Sequence, residues 1–178
     1  MKAVIQLINF LELIAIILVL VLALIFQFAF HELPCPLCLL QRVGFFGIAF
    51  SFLLNCRFGL RPSHYALATL SALFTAMVAL RQVALHVVPG TGGYGPAVFG
   101  FHMYTWSFFI AFIILVVTAI IQGIDPQYFP EKSREPRWKG LAHFLFAVLM
   151  IVVLINLVSV FAECGLAQCP DNPVKYLF

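Results

Sequence analysis

Charge is scarce in this sequence. Charged residues fill only 10% of its 178 positions and hydrophobic residues fill 63%, whereas a soluble domain carries roughly 25% charged residues. A chain this apolar has too little polar surface to cover itself in water. That excludes a soluble globular domain and leaves the bilayer as the natural solvent. Dense basic runs are also missing. The net charge is +3, with the lysines and arginines spread along the chain, so nucleic acid is not an expected partner and membrane lipid is. No Ala-x-Ala pattern follows the first apolar stretch, which runs from Met1-Lys2 to about Phe30. A secretory leader has an apolar region of only ~7–15 residues, so this stretch is expected to be a retained first span. Without an internal repeat or a separable soluble stretch, residues 1–178 are expected to form a single integral membrane domain.

A helix needs about 20 mostly apolar residues to cross the hydrocarbon layer. Five segments qualify: 8–30, 37–55, 64–87, 101–122 and 141–162. The second and third are interrupted by Arg42 and Arg81. Lysine and arginine in short flanking loops fix orientation. With the N-terminus inside, the inner face carries Lys2, Arg57, Arg61, Lys132, Arg134, Arg137 and Lys139, against Lys175 outside and Arg42 and Arg81 near helix ends. The expectation is N-in and C-out. The inner turn 56–63 and the inner loop 123–140 then face outer segments 31–36 and 88–100 and the outer tail 163–178. The fold class is an all-α membrane protein, a small helical bundle.

The five cysteines divide along that topology. Cys35, Cys38, Cys164 and Cys169 fall on the outer side, and Cys56 alone falls on the inner side, where thiols stay reduced. Cys35 and Cys38 lie in Pro34-Cys35-Pro36-Leu37-Cys38 just before the second span. Free N–H groups and the helix dipole there stabilise a thiolate, which is the attacking and leaving species in disulfide exchange. Cys164 and Cys169 follow the fifth span. A continuous helix would turn residues five apart away from each other, so a bond between them requires the helix to end there, as Gly165 and Pro170 allow. Static disulfides and a four-thiolate zinc site are the competing readings. A small loop stabilises little by chain entropy, and an oxidising compartment opposes zinc thiolates, so redox-active pairs are favoured and no metal is expected. Cys56 reads as an unremarkable interfacial cysteine.

The run Cys35-Pro36-Leu37-Cys38-Leu39-Leu40-Gln41-Arg42, between a first and a second span, resembles the signature of the disulfide bond formation protein B family, DsbB. The resemblance implies a four-helix core, here with a fifth transmembrane helix, in the bacterial inner membrane. It implies that Cys35 and Cys38 face a quinone, ubiquinone or menaquinone, and that Arg42 contacts it. A second cysteine pair is implied to meet a periplasmic DsbA-like oxidase of the thioredoxin fold. The family usually carries that second pair between the third and fourth spans. Segment 88–100 has no cysteine, so Cys164 and Cys169 are expected to be a relocated shuttle pair, with electrons passing from the partner to them, then to Cys35 and Cys38, then to quinone.

Ionisable residues inside a membrane are functional suspects by default. Arg42, Arg81, His86, His102 and Tyr104 belong to one outer layer of three spans. A quinone headgroup needs hydrogen bonds at its two oxygens and a cation near developing negative charge, so Arg42, Arg81, His86 and His102 are the candidate cofactor-binding residues. Glu12, at the inner edge of the first span, reads as a carboxylate snorkelling to the interface. Phe101, Tyr104, Trp106, Phe108 and Phe109 read as an aromatic belt, with Tyr128 and Trp138 in the inner one. Segment 94–101 is apolar enough to lie on the membrane. Two other functions compete. One is a metal- or haem-handling scaffold using His31, His86, His102 and the thiols. The other is a reductive conduit, for which Cys56 is the only inner thiol and a single thiol cannot cycle as a dithiol.

Overall fold

Backbone amides that enter hydrocarbon find no water, so apolar runs must satisfy them internally as helices. The computed structural model describes residues 2–88, 90, 92–95, 97–129, 138–171, 173 and 175–178. Among these, five helices are long and apolar enough to cross a membrane: α1 Lys2–Ala29, α2 Pro36–Phe58, α3 Pro62–His86, α4 Met103–Gln122 and α5 Lys139–Cys164. Lys132, Arg134 and Arg137, which carry part of the inside-positive bias, lie outside the described residues.

The helices begin and end where backbone chemistry dictates, and not where charge interrupts the apolar run. Pro36 and Pro62 occupy the first turns of α2 and α3, where a missing N–H has no partner to lose. α1 begins at Lys2 and not at 8, and α2 extends to Phe58, so the inner turn shrinks to 59–61. α4 begins at Met103 because Phe101–His102 belongs to a short hairpin, β2, paired antiparallel with β1 Ala97–Val98. α5 carries Cys164 as its last residue.

α2 is the hub of the packing, with α1, α3 and α5 against it, and α4 packs on α3. The α2–α3 approach is close because two glycines make room. A Cβ on Gly44 would run into Thr75 Oγ1, and one on Gly47 into Ser71 Oγ. Small residues at such crossings let membrane helices gain dispersion contacts that larger side chains would block. The buried core joins Leu13, Ile16 and Leu20 of α1 to Ile48 and Phe52 of α2, Tyr65 and Ala72 of α3, and Leu149 of α5. Large apolar side chains such as Leu18, Met77 and Leu157 remain exposed on the outer faces, as suits contact with lipid.

The end of the bundle opposite the paired cysteines is tied by a buried amide network. Asn55 Nδ2 donates to Asn9 Oδ1 at 2.9 Å, Asn9 Nδ2 donates to the Tyr65 hydroxyl at 2.9 Å, and that hydroxyl donates to Gln127 Oε1 at 3.2 Å. Two expectations about this end need correction. Because α1 starts at Lys2, Glu12 is a further 10 residues along, or about 15 Å, and its carboxylate oxygens are buried with no hydrogen-bond partner among the described residues. It does not snorkel. Cys56 is not interfacial either. It remains free, but it is buried in the core on α2.

Candidate active site

Alternating helix directions bring the start of α2 and the end of α5 to the same end of the bundle, and with them Cys35, Cys38, Cys164 and Cys169. Cys35 is the residue that caps α2. Its Sγ accepts a hydrogen bond from the Cys38 backbone N–H at 3.2 Å, and Pro36 follows in the first turn. Cys35 and Cys38 are joined as a disulfide with Cα atoms 5.0 Å apart. Cys35 is buried, and Cys38 is half-buried on the α2 surface.

Gln82 of α3 reaches across to both sulfurs. Its Nε2 lies 3.2 Å from Cys35 Sγ and 3.5 Å from Cys38 Sγ. Gln41 Nε2 donates to Gln82 Oε1 at 2.6 Å, so the amide oxygen is engaged and the amide N–H groups are the ones turned to sulfur. The next turn of α3 continues the arrangement, with His86 Nδ1 at 2.8 Å from the Gln82 carbonyl oxygen.

Beside Cys38 is a cavity of about 520 Å³ between α1 and α4, floored by α2. Its wall is mostly apolar, with Ala23 and Phe26 of α1 and Trp106 and Ile110 of α4, and its polar edge holds Glu32, Cys38, Gln41, Arg42, Tyr94, Tyr104 and Ser107. Arg42 is fastened there. Its Nη1 donates to Gln27 Oε1 at 2.6 Å and to Asn156 Oδ1 at 3.1 Å, and its Nη2 donates to the Ala23 carbonyl at 3.1 Å. A guanidinium has five N–H donors, so these three bonds leave two for another acceptor. Tyr94, between α3 and α4, donates to the Leu33 carbonyl at 2.5 Å. Burial, with the Glu163 and Glu32 carboxylates nearby, pushes its hydroxyl up to about 12, so it stays a donor at neutral pH.

The other expected site residues divide. His86 and His102 stack on the Tyr104 ring with centroids 5.3 Å away in each case, and Tyr104 lines the cavity. The histidines therefore stand one ring removed from it. Arg81 is exposed on α3 and does not reach the cavity wall. The aromatic residues expected as a belt stay together as ring contacts, among them Phe101 with Trp106 and with Phe109. Among the described residues, no three His, Cys, Asp or Glu side chains gather as a metal site.

Cys164 and Cys169 are joined with Cα atoms 4.8 Å apart. The helix stops at Cys164 because Gly165 turns with φ +61°, a conformation that penalises any Cβ. The tail then folds back. The Leu177 and Phe178 N–H groups donate to the Ala162 carbonyl, Phe178 stacks on Phe161, and Gln27 Nε2 donates to the Tyr176 hydroxyl at 3.2 Å. Cys164 is buried, Cys169 is half-buried, and Leu166 between them is 98% exposed.

One protein family, Disulfide bond formation protein DsbB, has a sequence model that matches residues 6–94, half of the chain. The chain belongs to the DsbB family. It is thereby a multi-pass membrane protein with disulfide oxidoreductase activity. No curated protein and no solved structure matches the chain. The DsbB match spans α1 to α3, including Cys35, Cys38 and Arg42, and it ends before α4, α5 and the tail pair. Within the matched part, Gln27, Gln41 and Gln82 are uncharged amides that contact Arg42, the cysteine sulfurs or one another, and Asn156, beyond it, also holds Arg42. A usable signal was available, since an uncharged amide inside an apolar span must also find a partner.

Proposed function

We propose that the chain is a quinone-coupled thiol oxidoreductase of the inner membrane, with its paired cysteines on the periplasmic side. It reoxidises a soluble thioredoxin-fold dithiol protein of the DsbA type. The observation that carries this reading is the apolar cavity with Cys38 and Arg42 in one wall. It combines a lipid-side seam between α1 and α4, a redox sulfur, and a fixed cation with two N–H groups to spare. These features suit a flat, apolar ring with two carbonyl oxygens. Family membership supports the thiol chemistry, and the N-in reading of the basic residues supports the periplasmic side.

Entry begins at the tail. A partner thiolate attacks the Cys164–Cys169 bond, which the exposed Leu166 loop presents, to give a mixed disulfide and one tail thiolate. The second partner thiolate resolves it, leaving an oxidised partner and a tail dithiol. The tail dithiol reduces Cys35–Cys38 by the same two displacements, so two electrons and two protons move at each stage. Quinone, when bound in the cavity, supplies the final two-electron acceptor. Arg42 and Gln41 would orient its oxygens, and the Cys35 cap position and the Gln82 amide hold the sulfurs beside it.

The scaffold reading is weaker, because the four outer thiols are spent in two disulfides. The test is purified protein supplied with a reduced DsbA-type protein and a short-chain ubiquinone or menaquinone, followed at the quinone absorbance. Multiple turnovers are expected. Absence of quinone reduction with both quinones, in protein that still reacts with the partner, would overturn the proposal.

A further inference from the structure

Glu163 stands in the last turn of α5, next to Cys164, where several features oppose a carboxylate. The C-terminal end of a helix carries partial negative charge. The residue is 3% exposed, and neither carboxylate oxygen has a hydrogen-bond partner among the described residues. An acid buried in this way and left unbonded calls for an explanation.

The surroundings point to one. Asn156, Ser159 and Glu163 are all buried, and their spacing of three and four residues puts them on one face of α5. Asn156 on that face holds Arg42. The charged and titratable groups within electrostatic reach are Arg42 of α2 and Tyr94 of the outer loop, with Tyr176 of the tail close to Arg42 and Glu32 close to Tyr94. Arg42 and Tyr94 also line the cavity beside Cys38. Glu163 thus adjoins Cys164 in the chain and interacts electrostatically with Arg42 and Tyr94 beside the α2 pair.

We propose that Glu163 is the proton carrier for exchange between the tail cysteines and Cys35–Cys38. This rests on the reading of the tail pair as a shuttle. The ionised carboxylate takes the proton of the attacking tail thiol, and the resulting thiolate displaces one sulfur of the Cys35–Cys38 disulfide. One S–S bond forms, one breaks, and the leaving sulfur departs as a thiolate that Glu163 reprotonates. The second tail thiol repeats the cycle, Cys164–Cys169 reforms, and Glu163 ends ionised as it began. Two electrons and two protons have crossed.

The test compares two reductants in the same purified protein, with short-chain ubiquinone as acceptor. A reduced DsbA-type protein enters through the tail, and dithiothreitol acts on Cys35–Cys38 directly. The readout is the ratio of the two rates, which corrects for any loss of folded protein. General acid–base groups contribute about 10²–10⁴-fold, so Glu163→Gln should lower the ratio at least tenfold and flatten its dependence on pH. Glu163→Asp, which still carries a proton, should recover much of it. An unchanged ratio in Glu163→Gln, or an equal fall in both variants, would overturn the assignment. Failure of the shuttle reading looks different: removal of both tail cysteines would then leave the wild-type ratio intact.

Discussion

Replacing Gln82 by leucine removes the only side-chain amide that reaches the Cys35 and Cys38 sulfurs among the described hydrogen bonds. In the oxidised pair that amide faces neutral sulfur, and after reduction it faces a thiolate. Hydrogen bonds to charged groups contribute about 1.5–3 kcal/mol and neutral ones about 0.5–1.5 kcal/mol, so the amide favours the reduced state by about 1–1.5 kcal/mol. For a two-electron couple 1.4 kcal/mol corresponds to about 30 mV. Gln82→Leu should therefore lower the potential of the pair by about 20–30 mV, making it a poorer oxidant. Gln82→Glu should lower it further, because a carboxylate repels the thiolate. Gln41→Leu, which frees the Gln82 oxygen held at 2.6 Å, should give a smaller drop. The assay uses a background with Cys164→Ser and Cys169→Ser, so that only one pair titrates. Protein is equilibrated with thiol–disulfide buffers, trapped by alkylation and weighed by mass spectrometry. An unchanged or raised potential in Gln82→Leu would refute the claim that the amide stabilises the reduced sulfurs.

Arg42→Met should raise the quinone KM at least tenfold while mixed disulfides with the partner still form, with lysine recovering only part because it lacks the planar fork. Its three helix-tying bonds, at roughly 0.6 kcal/mol each inside a membrane, should cost about 2 kcal/mol on thermal unfolding; a stability loss with unaltered quinone kinetics would mean that Arg42 only braces the bundle. Gly44→Val should destabilise by about 1–3 kcal/mol through overpacking against Thr75, and Thr75→Ala should restore part of it in a thermal melt. After mild reduction of intact cells, a membrane-impermeant thiol reagent should label Cys169, which is half-buried. Labelling of Cys169 only after the membrane is permeabilised would invert the orientation. Cys164→Ser with Cys169→Ser should abolish quinone reduction driven by the partner protein while dithiothreitol still drives it.

The five spans, the pairing of Cys35 with Cys38 and of Cys164 with Cys169, and the family were all legible in the sequence because each rests on local information. Hydropathy over about 20 residues reports a span. Pro36 after Cys35 reports a helix start, and Gly165 after Cys164 reports a helix end. What only the tertiary structure decided is the set of partners for neutral and misplaced polar groups. Gln82 meets sulfurs 44 and 47 positions away, and Arg42 meets Asn156 at a separation of 114. No periodicity encodes such distances, and an amide carries no charge to mark it. The same holds for Glu12 and Glu163. In sequence each looks like an acid near a helix end, free to reach water. Whether it does depends on how far the helix runs past it and on what packs over it, and the oxygens of both are buried without a hydrogen-bond partner among the described residues.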